Sequence, residues 1–247
     1  MTVEWWETFF DEVWLEGGFG SAGGEAPIEE IDYLWRQLKL RPGSRLADIC
    51  CGIGRHSIPL ARRGVEVTGV DFCADYVERA KMGAAGLPAV FVRTDMRDTG
   101  LGTGAFDAVI NLWTSFGYFA DEAENERALA EWSRLLRSGG RLVMSLVNRD
   151  GLMAHFQRAR GDIRLGWLLL EDSEPDYITG RMTSRWLWVS PTGERHAREI
   201  NHHLYAVHEL VRMGAQCGLK IVDAHGDILG EPAGREHVHM YLTFAKA

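Results

Sequence analysis

A glycine-rich stretch in the first quarter of the chain has the residue types of a ligand-binding turn. It reads Asp48-Ile-Cys-Cys-Gly-Ile-Gly54 and lies between a predicted strand and a predicted helix. Gly52 and Gly54 carry no side chain, so a ligand can approach the backbone closely at these positions. Because Gly-x-Gly also occurs in ordinary tight turns, the surrounding residues must decide what this turn does.

Acidic and polar residues follow the next predicted strands. Asp71 stands 23 residues after Asp48, at a strand end, where a carboxylate can accept hydrogen bonds from both hydroxyls of a ribose. Asp95 and Met96 follow the third predicted strand and are placed to contact an adenine edge, and Asn111 ends the fourth. Since the carboxyl ends of parallel strands meet at one edge of a sheet, we expect these residues to share one crevice.

These motifs resemble those of class I S-adenosylmethionine-dependent methyltransferases. The nearer resemblance is to bacterial small-molecule and peptide methyltransferases, which include the glycine-type N-methyltransferases and the cypemycin N-terminal methyltransferase, and it extends from about Ile28 to the C terminus. It implies S-adenosylmethionine as cofactor, S-adenosylhomocysteine as product and no metal. The cofactor-binding residues that it implies are Asp48, Cys50, Gly52, Gly54, Asp71, Phe72, Asp95, Met96, Asn111 and Leu112. The chain departs from the pattern at Cys73, where many relatives have serine, and at Cys50-Cys51.

Strand-like and helix-like segments alternate through the first part of the chain. Repeated β-α units predict a parallel sheet of α/β class with helices on both faces. The resemblance implies that this is a Rossmann-like seven-stranded methyltransferase sheet. The predicted strands are 45–50, 65–70, 89–92, 106–110 and 141–147, with helices near 55–63, 74–83 and 121–136. A helix at 206–217 and strands at 220–224 and 237–245 are expected to close the sheet edge.

The alternation is interrupted after the fifth strand. Segments 181–190 and 195–202 flank a Pro191-Thr-Gly-Glu194 turn and predict an antiparallel hairpin. We therefore expect a single methyltransferase domain over 1–247 with four parts: an N-terminal helical lid segment 1–44, a cofactor-binding core 45–150, an inserted antiparallel β lid 151–204, and a C-terminal helix and strands 205–247.

Few residues are candidates for catalysis or for direct contact with the acceptor. The candidates are His202, His203 and Tyr205 beside the insertion, and Tyr118, with Thr114-Ser115, after the fourth strand. Ordinary polar residues of a solvated strand or loop would look the same. Five tryptophans are either an aromatic wall over the crevice or core packing, namely Trp5, Trp6, Trp14, Trp186 and Trp188. His56, next to the glycine turn, is expected to pack there or to bond on the cofactor side.

The composition and the net charge limit the kinds of partner that the protein is expected to bind. A net charge of -8 is unfavourable for a phosphate-binding surface, so no nucleic-acid partner is expected. The N-terminal residues do not resemble a secretory signal, and no apolar run is long enough to cross a bilayer, so we expect a cytoplasmic protein with no membrane partner. The four cysteines lack paired metal-ligand spacing and are expected to be reduced thiols.

The sequence thus predicts methyl transfer by direct displacement to N or O of a small-molecule or short-peptide acceptor. Two alternatives stay open: a regulatory or scaffold protein that only binds the cofactor, and a nicotinamide-dependent Rossmann oxidoreductase. The latter would need a third glycine where Ser57 stands. RNA or protein methylation is disfavoured because Asn111-Leu-Trp-Thr lacks an Asn/Asp-Pro-Pro-Tyr motif. The acceptor's identity and the oligomeric state are not determined by these patterns.

Overall fold

The computed structural model describes residues 4–17 and 24–247. The helices are α1 (Trp5–Phe9), α2 (Glu12–Glu16), α3 (Ile28–Gln37), α4 (Ser57–Arg62), α5 (Ala74–Gly83), α6 (Glu122–Leu135), α7 (Arg149–Ala154) and α8 (Val207–Gln216). Within the described ranges, no helix has the length and apolar character needed to cross a membrane. The remaining residues of the N-terminal segment, 1–3 and 18–23, lie outside the description.

Seven strands form one sheet, as the sequence predicted. They are β1 (Arg45–Ile49), β2 (Glu66–Asp71), β3 (Ala89–Arg93), β4 (Phe106–Asn111), β5 (Leu136–Val147), β10 (Leu219–His225) and β11 (His239–Lys246), in the order β10-β11-β5-β4-β1-β2-β3. The first five are parallel, whereas β11 runs antiparallel to β5 and β10 antiparallel to β11. The near-continuous burial of β1 and β4 follows from this layout, because helices cover both faces of the sheet.

The core lies on both sides of this sheet. On one side the strands pack against α6 and α8, with Trp132 and Phe244 fully buried. On the other side they pack against α3 and α4 through Leu34 and Leu60. Because the sheet is fixed from both faces, the ends of its parallel strands form a rigid platform.

A second, antiparallel sheet follows β5 and α7, which confirms a β-rich insertion. Its strands are β6 (Ala159–Arg164), β7 (Trp167–Asp176), β8 (Arg181–Val189) and β9 (Arg195–His203), paired in that order. The predicted hairpin corresponds to β8 and β9, but the sequence did not reveal β6 and β7. Every residue of β6 is exposed, so this edge strand lacks the apolar alternation by which a strand is recognised.

Element boundaries differ most at β5. This strand begins at Leu136 and not at 141, because Leu136 already pairs with Phe106 across a register irregularity. Helix α6 accordingly ends at Leu135.

Candidate active site

A cavity of about 850 Å³ lies between the two sheets. Its lower wall, here called the floor, comes from the carboxyl ends of β1, β2 and β4 and from the loop after β3. Its upper wall, here called the lid face, is the inner face of the second sheet. The lid face consists of Arg160, Gly161, Asp162, Arg164, Leu169, Glu171, Ser173, Met182, Ser184, Trp186, Ile200 and His202. Helices α1 and α2 close one side. A cavity of this size can hold a cofactor together with a small second molecule.

The turn after β1 shapes the floor through its backbone. Gly52 has a φ of +54°, and a Cβ at this position would meet no atom within 4 Å, so the turn leaves open space where a ligand can approach. Gly54 has a φ of +87° but does not line the cavity, and a Cβ there would press on Ile58 at 3.1 Å. Cys50 is also left-handed, with a φ of 61°. Left-handed residues therefore stand at every second position of this turn, and those at Cys50 and Gly52 line the cavity.

Asp71 is held rigidly at the end of β2. Its carboxylate accepts hydrogen bonds from the backbone N–H of Gly52 at 2.8 Å and of Cys73 at 2.9 Å. Burial raises its pKa, and these backbone donors counteract part of that rise. Each oxygen keeps a further lone pair for a ligand, so the group fits the two hydroxyls of a ribose. Phe72 lies beside it at the cavity wall, with its ring edge-on to Trp6 at 4.9 Å.

Asp48 lies deeper, beneath the glycine turn. Its carboxylate accepts a hydrogen bond of 2.6 Å from the Ser57 hydroxyl. Burial raises the pKa of Asp48 to about 6. His56 is buried nearby, with Nε2 at 3.4 Å from Glu30, and it also lines the cavity.

Asp95 and Met96 border the floor after β3. Arg97 binds Asp95 through its backbone N–H at 2.8 Å and its guanidinium at 2.6 Å. Burial alone would raise the pKa of Asp95, but the hydrogen bonds from Arg97 hold it below its usual value. The Met96 carbonyl accepts a bond from the Trp132 indole at 3.1 Å, which fixes this loop to α6.

The loop after β4 carries backbone strain. Trp113 and Thr114 have φ values of 63° and 60°, a conformation that is costly for residues with side chains. Bonds to β5 hold it: the Thr114 N–H donates to the Ser145 carbonyl at 2.9 Å, and the Val147 N–H donates to the Thr114 hydroxyl at 3.1 Å. Strain held in this way is typical of residues that must face a ligand.

Asn111 and Leu112 take different positions. Leu112 lines the cavity, whereas Asn111 is fully buried behind it. The Asn111 amide donates to the carbonyls of Ile49 at 3.1 Å and Ser115 at 3.2 Å, so it joins the ends of β1 and β4. The structure therefore brings eight of the ten predicted cofactor residues to the cavity wall and places Gly54 and Asn111 directly behind it.

Of the four residues predicted to contact the acceptor, two line the cavity and two do not. His202 lines the cavity, and its Nδ1 is buried with no hydrogen-bond partner in the described part of the chain. Burial lowers the pKa of His202 to about 4, so it is neutral at pH 7. Tyr118 also lines the cavity, and burial raises its pKa. Neither His203 nor Tyr205 reaches the cavity.

His203 and Tyr205 have partners elsewhere. Their rings stack with centroids 4.3 Å apart. The Tyr205 hydroxyl donates to Glu122 at 2.8 Å, and His203 Nδ1 lies 3.6 Å from the same carboxylate. This arrangement joins the end of β9 to α6, away from the cavity.

Aromatic rings form the side wall. Trp5, Trp6, Trp14 and Trp186 line the cavity, and Trp188 is buried behind them. Phe9 and Phe10, which the sequence reasoning missed, complete the cluster, with Phe9 packed against Trp188 at 5.9 Å and Phe10 against Tyr118 at the same distance. Phe9 stands close in sequence to the tryptophans of the N-terminal segment, and this spacing was the signal that could have placed it in the cluster.

The cysteines and the possible metal ligands are the remaining groups with reactive side chains. All four cysteines are free, and none is exposed. Residues 4–17 and 24–247 contain no group of three or more His, Cys, Asp or Glu side chains arranged to hold a metal ion.

Comparison with known proteins agrees with this geometry. Residues 46–140 match the family model described as a methyltransferase domain. The putative methyltransferase YqeM of Bacillus subtilis is 25% identical over 219 residues, which cover 86% of this chain and 88% of YqeM. The chain spans about half the length of several other curated methyltransferases that it matches.

Solved structures extend the likeness over both sheets. The CcbJ methyltransferase from Streptomyces caelestis has a TM-score of 0.79 at 20% identity, covering 96% of this chain and 100% of that one. The sugar N-methyltransferase KedS8 from Streptoalloteichus has a TM-score of 0.63 at 25% identity, covering 87% and 86%. The methyltransferase domain over residues 46–140, this fold and a floor that fits a ribose support a class I S-adenosylmethionine-dependent methyltransferase, with S-adenosylmethionine as its cofactor.

Proposed function

We propose that the protein methylates an amine nitrogen of a small-molecule acceptor, with an amino sugar as the leading class. The similarity to a sugar N-methyltransferase supports this choice, since it extends over the lid as well as the core. The cavity supports it too, because its floor and lid face enclose one space large enough for both molecules. In this proposal residues 1–44 and 151–204 act as the lid, and the floor residues bind the cofactor.

The chemistry requires little from the protein beyond alignment. When bound, S-adenosylmethionine supplies a methyl group already activated by its sulfonium. The floor then holds the cofactor through Asp71 and the backbone of the glycine turn, while the aromatic wall excludes water. The lid face orients the acceptor so that its nucleophile points toward the floor.

His202 is the observation that favours nitrogen over oxygen. An alcohol needs a base with a pKa near the operating pH, whereas a neutral amine attacks with its own lone pair. With a pKa of about 4, His202 is a poor base at pH 7 but a good hydrogen-bonding group in a buried wall. It therefore orients the acceptor amine rather than removing a proton from a hydroxyl.

The test is a methyl-transfer assay with radiolabelled S-adenosylmethionine and a panel of amino sugars, simple hexoses and short peptides. We expect label on nitrogen of an amino sugar, located by mass spectrometry. His202→Ala should lower turnover about 10- to 100-fold while S-adenosylhomocysteine affinity is unchanged. Its neighbour His203 is the matched control, since His203→Ala lies outside the cavity and should leave turnover near wild type.

Three results would contradict the proposal. Label on oxygen alone would exclude the amine chemistry, and label on peptides alone would exclude an amino-sugar acceptor. Binding of the cofactor without transfer to any compound would favour the regulatory or scaffold alternative. Equal turnover of the two histidine variants would remove His202 from the acceptor site.

A further inference from the structure

The lid face carries a buried polar chain that cofactor binding does not need. Glu171 and Ser173 on β7 and Ser184 on β8 all line the cavity, and Ser173 and Ser184 lie opposite each other in the sheet. Glu171 is only 8% exposed. Its neighbours on the same face, Leu169 and Met182, are apolar and buried. A carboxylate in such a place is costly unless its oxygens find partners.

The protein supplies only part of those partners. One Glu171 oxygen accepts a bond from Arg160 at 2.6 Å, and the other accepts a bond from the Ser173 hydroxyl at 2.7 Å. A carboxylate has about four acceptor positions, so roughly two remain for groups inside the cavity. Arg160 lies directly opposite Glu171 on the edge strand β6, lines the same cavity and is 59% exposed.

The direction of the hydrogen bonds is fixed from the carboxylate outward. As the ion-pair partner of Arg160, Glu171 only accepts, so Ser173 donates its single proton to it. Ser184, 2.6 Å from Ser173, must then donate its own proton to Ser173. The Ser184 oxygen is left with lone pairs only. The Glu171, Ser173 and Ser184 side chains themselves therefore present acceptors, and no spare hydroxyl proton, to the cavity.

We infer that Glu171 and Ser184 form an acceptor-binding subsite that takes hydroxyl or ammonium donors of the methyl-accepting molecule other than the neutral amine that attacks, and that rejects a carboxylate at that place. This inference rests on the proposed function and names the side chains that select the acceptor. Glu171 and Ser184 are positioning residues, because they hold the acceptor molecule in register with the floor. A cation is favoured by the charge of Glu171, and a neutral polyol by the exposed lone pairs of both residues.

Two sugars of similar size separate these classes in a binding experiment. Glucosamine and glucuronate are titrated into the S-adenosylhomocysteine-loaded protein and followed by saturation-transfer NMR. The wild type should bind glucosamine about tenfold or more tightly than glucuronate, the scale of one charge-assisted hydrogen bond. In Glu171→Gln, which keeps the shape and removes the charge, this preference should fall to about threefold or less.

Glu199→Gln is the matched control. Glu199 lies on the same sheet, is exposed on its outer face and pairs with Arg185, so its substitution should leave the preference intact. Ser184→Ala should weaken glucosamine binding several-fold while the affinity for S-adenosylhomocysteine stays within about twofold of wild type. That second affinity shows whether a variant has merely unfolded.

The outcomes are separable from those of the proposed function. No preference in the wild type, no binding of either sugar, or a preference that survives Glu171→Gln would overturn the subsite. Methylation of an amino sugar together with such a result would leave the proposed function intact. Conversely, a charge-dependent preference without label on nitrogen would keep the subsite and reject N-methylation.

Discussion

The floor and the lid face present different kinds of groups to the cavity. The floor works mainly through backbone: left-handed residues at Cys50 and Gly52, N–H groups that fix Asp71, and a strained loop at Trp113. The lid face works through side chains on flat strands whose backbone is already paired. A backbone site must be encoded by consecutive residues, whereas a side-chain site is assembled from every second residue of several strands. This difference explains why the floor resembles many methyltransferases and the lid face does not reveal its ligand so directly.

The two walls also differ in how they treat charge. Burial raises the pKa of Asp48 in the floor to about 6 and lowers that of His202 in the lid face to about 4. Both shifts favour the neutral form, since desolvation penalises whichever state is charged. The consequences for stability have opposite signs, because one group is an acid and the other a base.

Phe9→Ala should give the largest effect and should affect the lid alone. Phe9 is 3% exposed and packs with Trp188 and Ile200, so it joins α1 to the second sheet. Removing a buried phenylalanine costs about 3–5 kcal/mol. We expect amide hydrogen exchange to accelerate strongly in α1, β8 and β9, while β1 and β4 keep their protection.

The control for this variant is Ile163→Ala on the same sheet. Ile163 is 70% exposed, and its loss should change the free energy of unfolding by less than about 0.5 kcal/mol. If exchange accelerated equally in β1 after Phe9→Ala, the lid and the core would be one cooperative unit, and the two walls would not be independent.

The contrast between the walls also shows what the sequence could predict. Alternating strands and helices predicted the parallel sheet, and the residues after each strand predicted that Gly52, Asp71 and Asp95 would share a crevice. Those predictions succeed because each depends on a short segment and on one general property of parallel sheets. The β-rich insertion was predicted from the alternation and turn of β8 and β9.

The residues of the lid face could not be predicted from short segments, for a physical reason. Adjacent residues of a strand face opposite ways, so only the pairing of β9 with β8 decides whether His202 or His203 reaches the cavity. Glu171 and Ser173 escaped notice because β7 was not predicted. Their spacing of two within the segment Trp167–Asp176 is the signal of an inward-facing polar pair, but it acquires meaning only when a partner strand is known.

The opposite pH dependences give the second prediction. His202 has a lowered folded-state pKa, so its contribution to stability is lost as the pH falls from 6.5 toward 4. Asp48 has a raised pKa, so it adds stability as the pH falls from about 6 toward 3.8. Each change amounts to roughly 3 kcal/mol, and in the wild type the two largely cancel.

The substitution His202→Gln removes the pH-dependent contribution of His202 to stability and leaves that of Asp48. We expect the variant to gain stability relative to the wild type as the pH falls. Between pH 6.5 and pH 4, the difference in free energy of unfolding (variant minus wild type) should increase by roughly 3 kcal/mol, measured by urea denaturation. His208→Gln, at an exposed position on α8, is the control for the loss of an imidazole. A difference for His202→Gln that does not change with pH would mean that this imidazole is not kept neutral by its surroundings.

Asp71→Ala gives the smallest of the three effects and tests the floor alone. Losing hydrogen bonds to a charged group should weaken cofactor binding by about 1–3 kcal/mol in isothermal calorimetry, with Asp98→Ala, an exposed acid, as control. The ribose is common to S-adenosylmethionine and S-adenosylhomocysteine, so both affinities should fall by the same factor. If only S-adenosylmethionine were weakened, Asp71 would be acting on the sulfonium charge, because charge is what distinguishes the two molecules. In that case the floor, like the lid face, would select its ligand by side-chain electrostatics, and the contrast between the two walls would no longer hold.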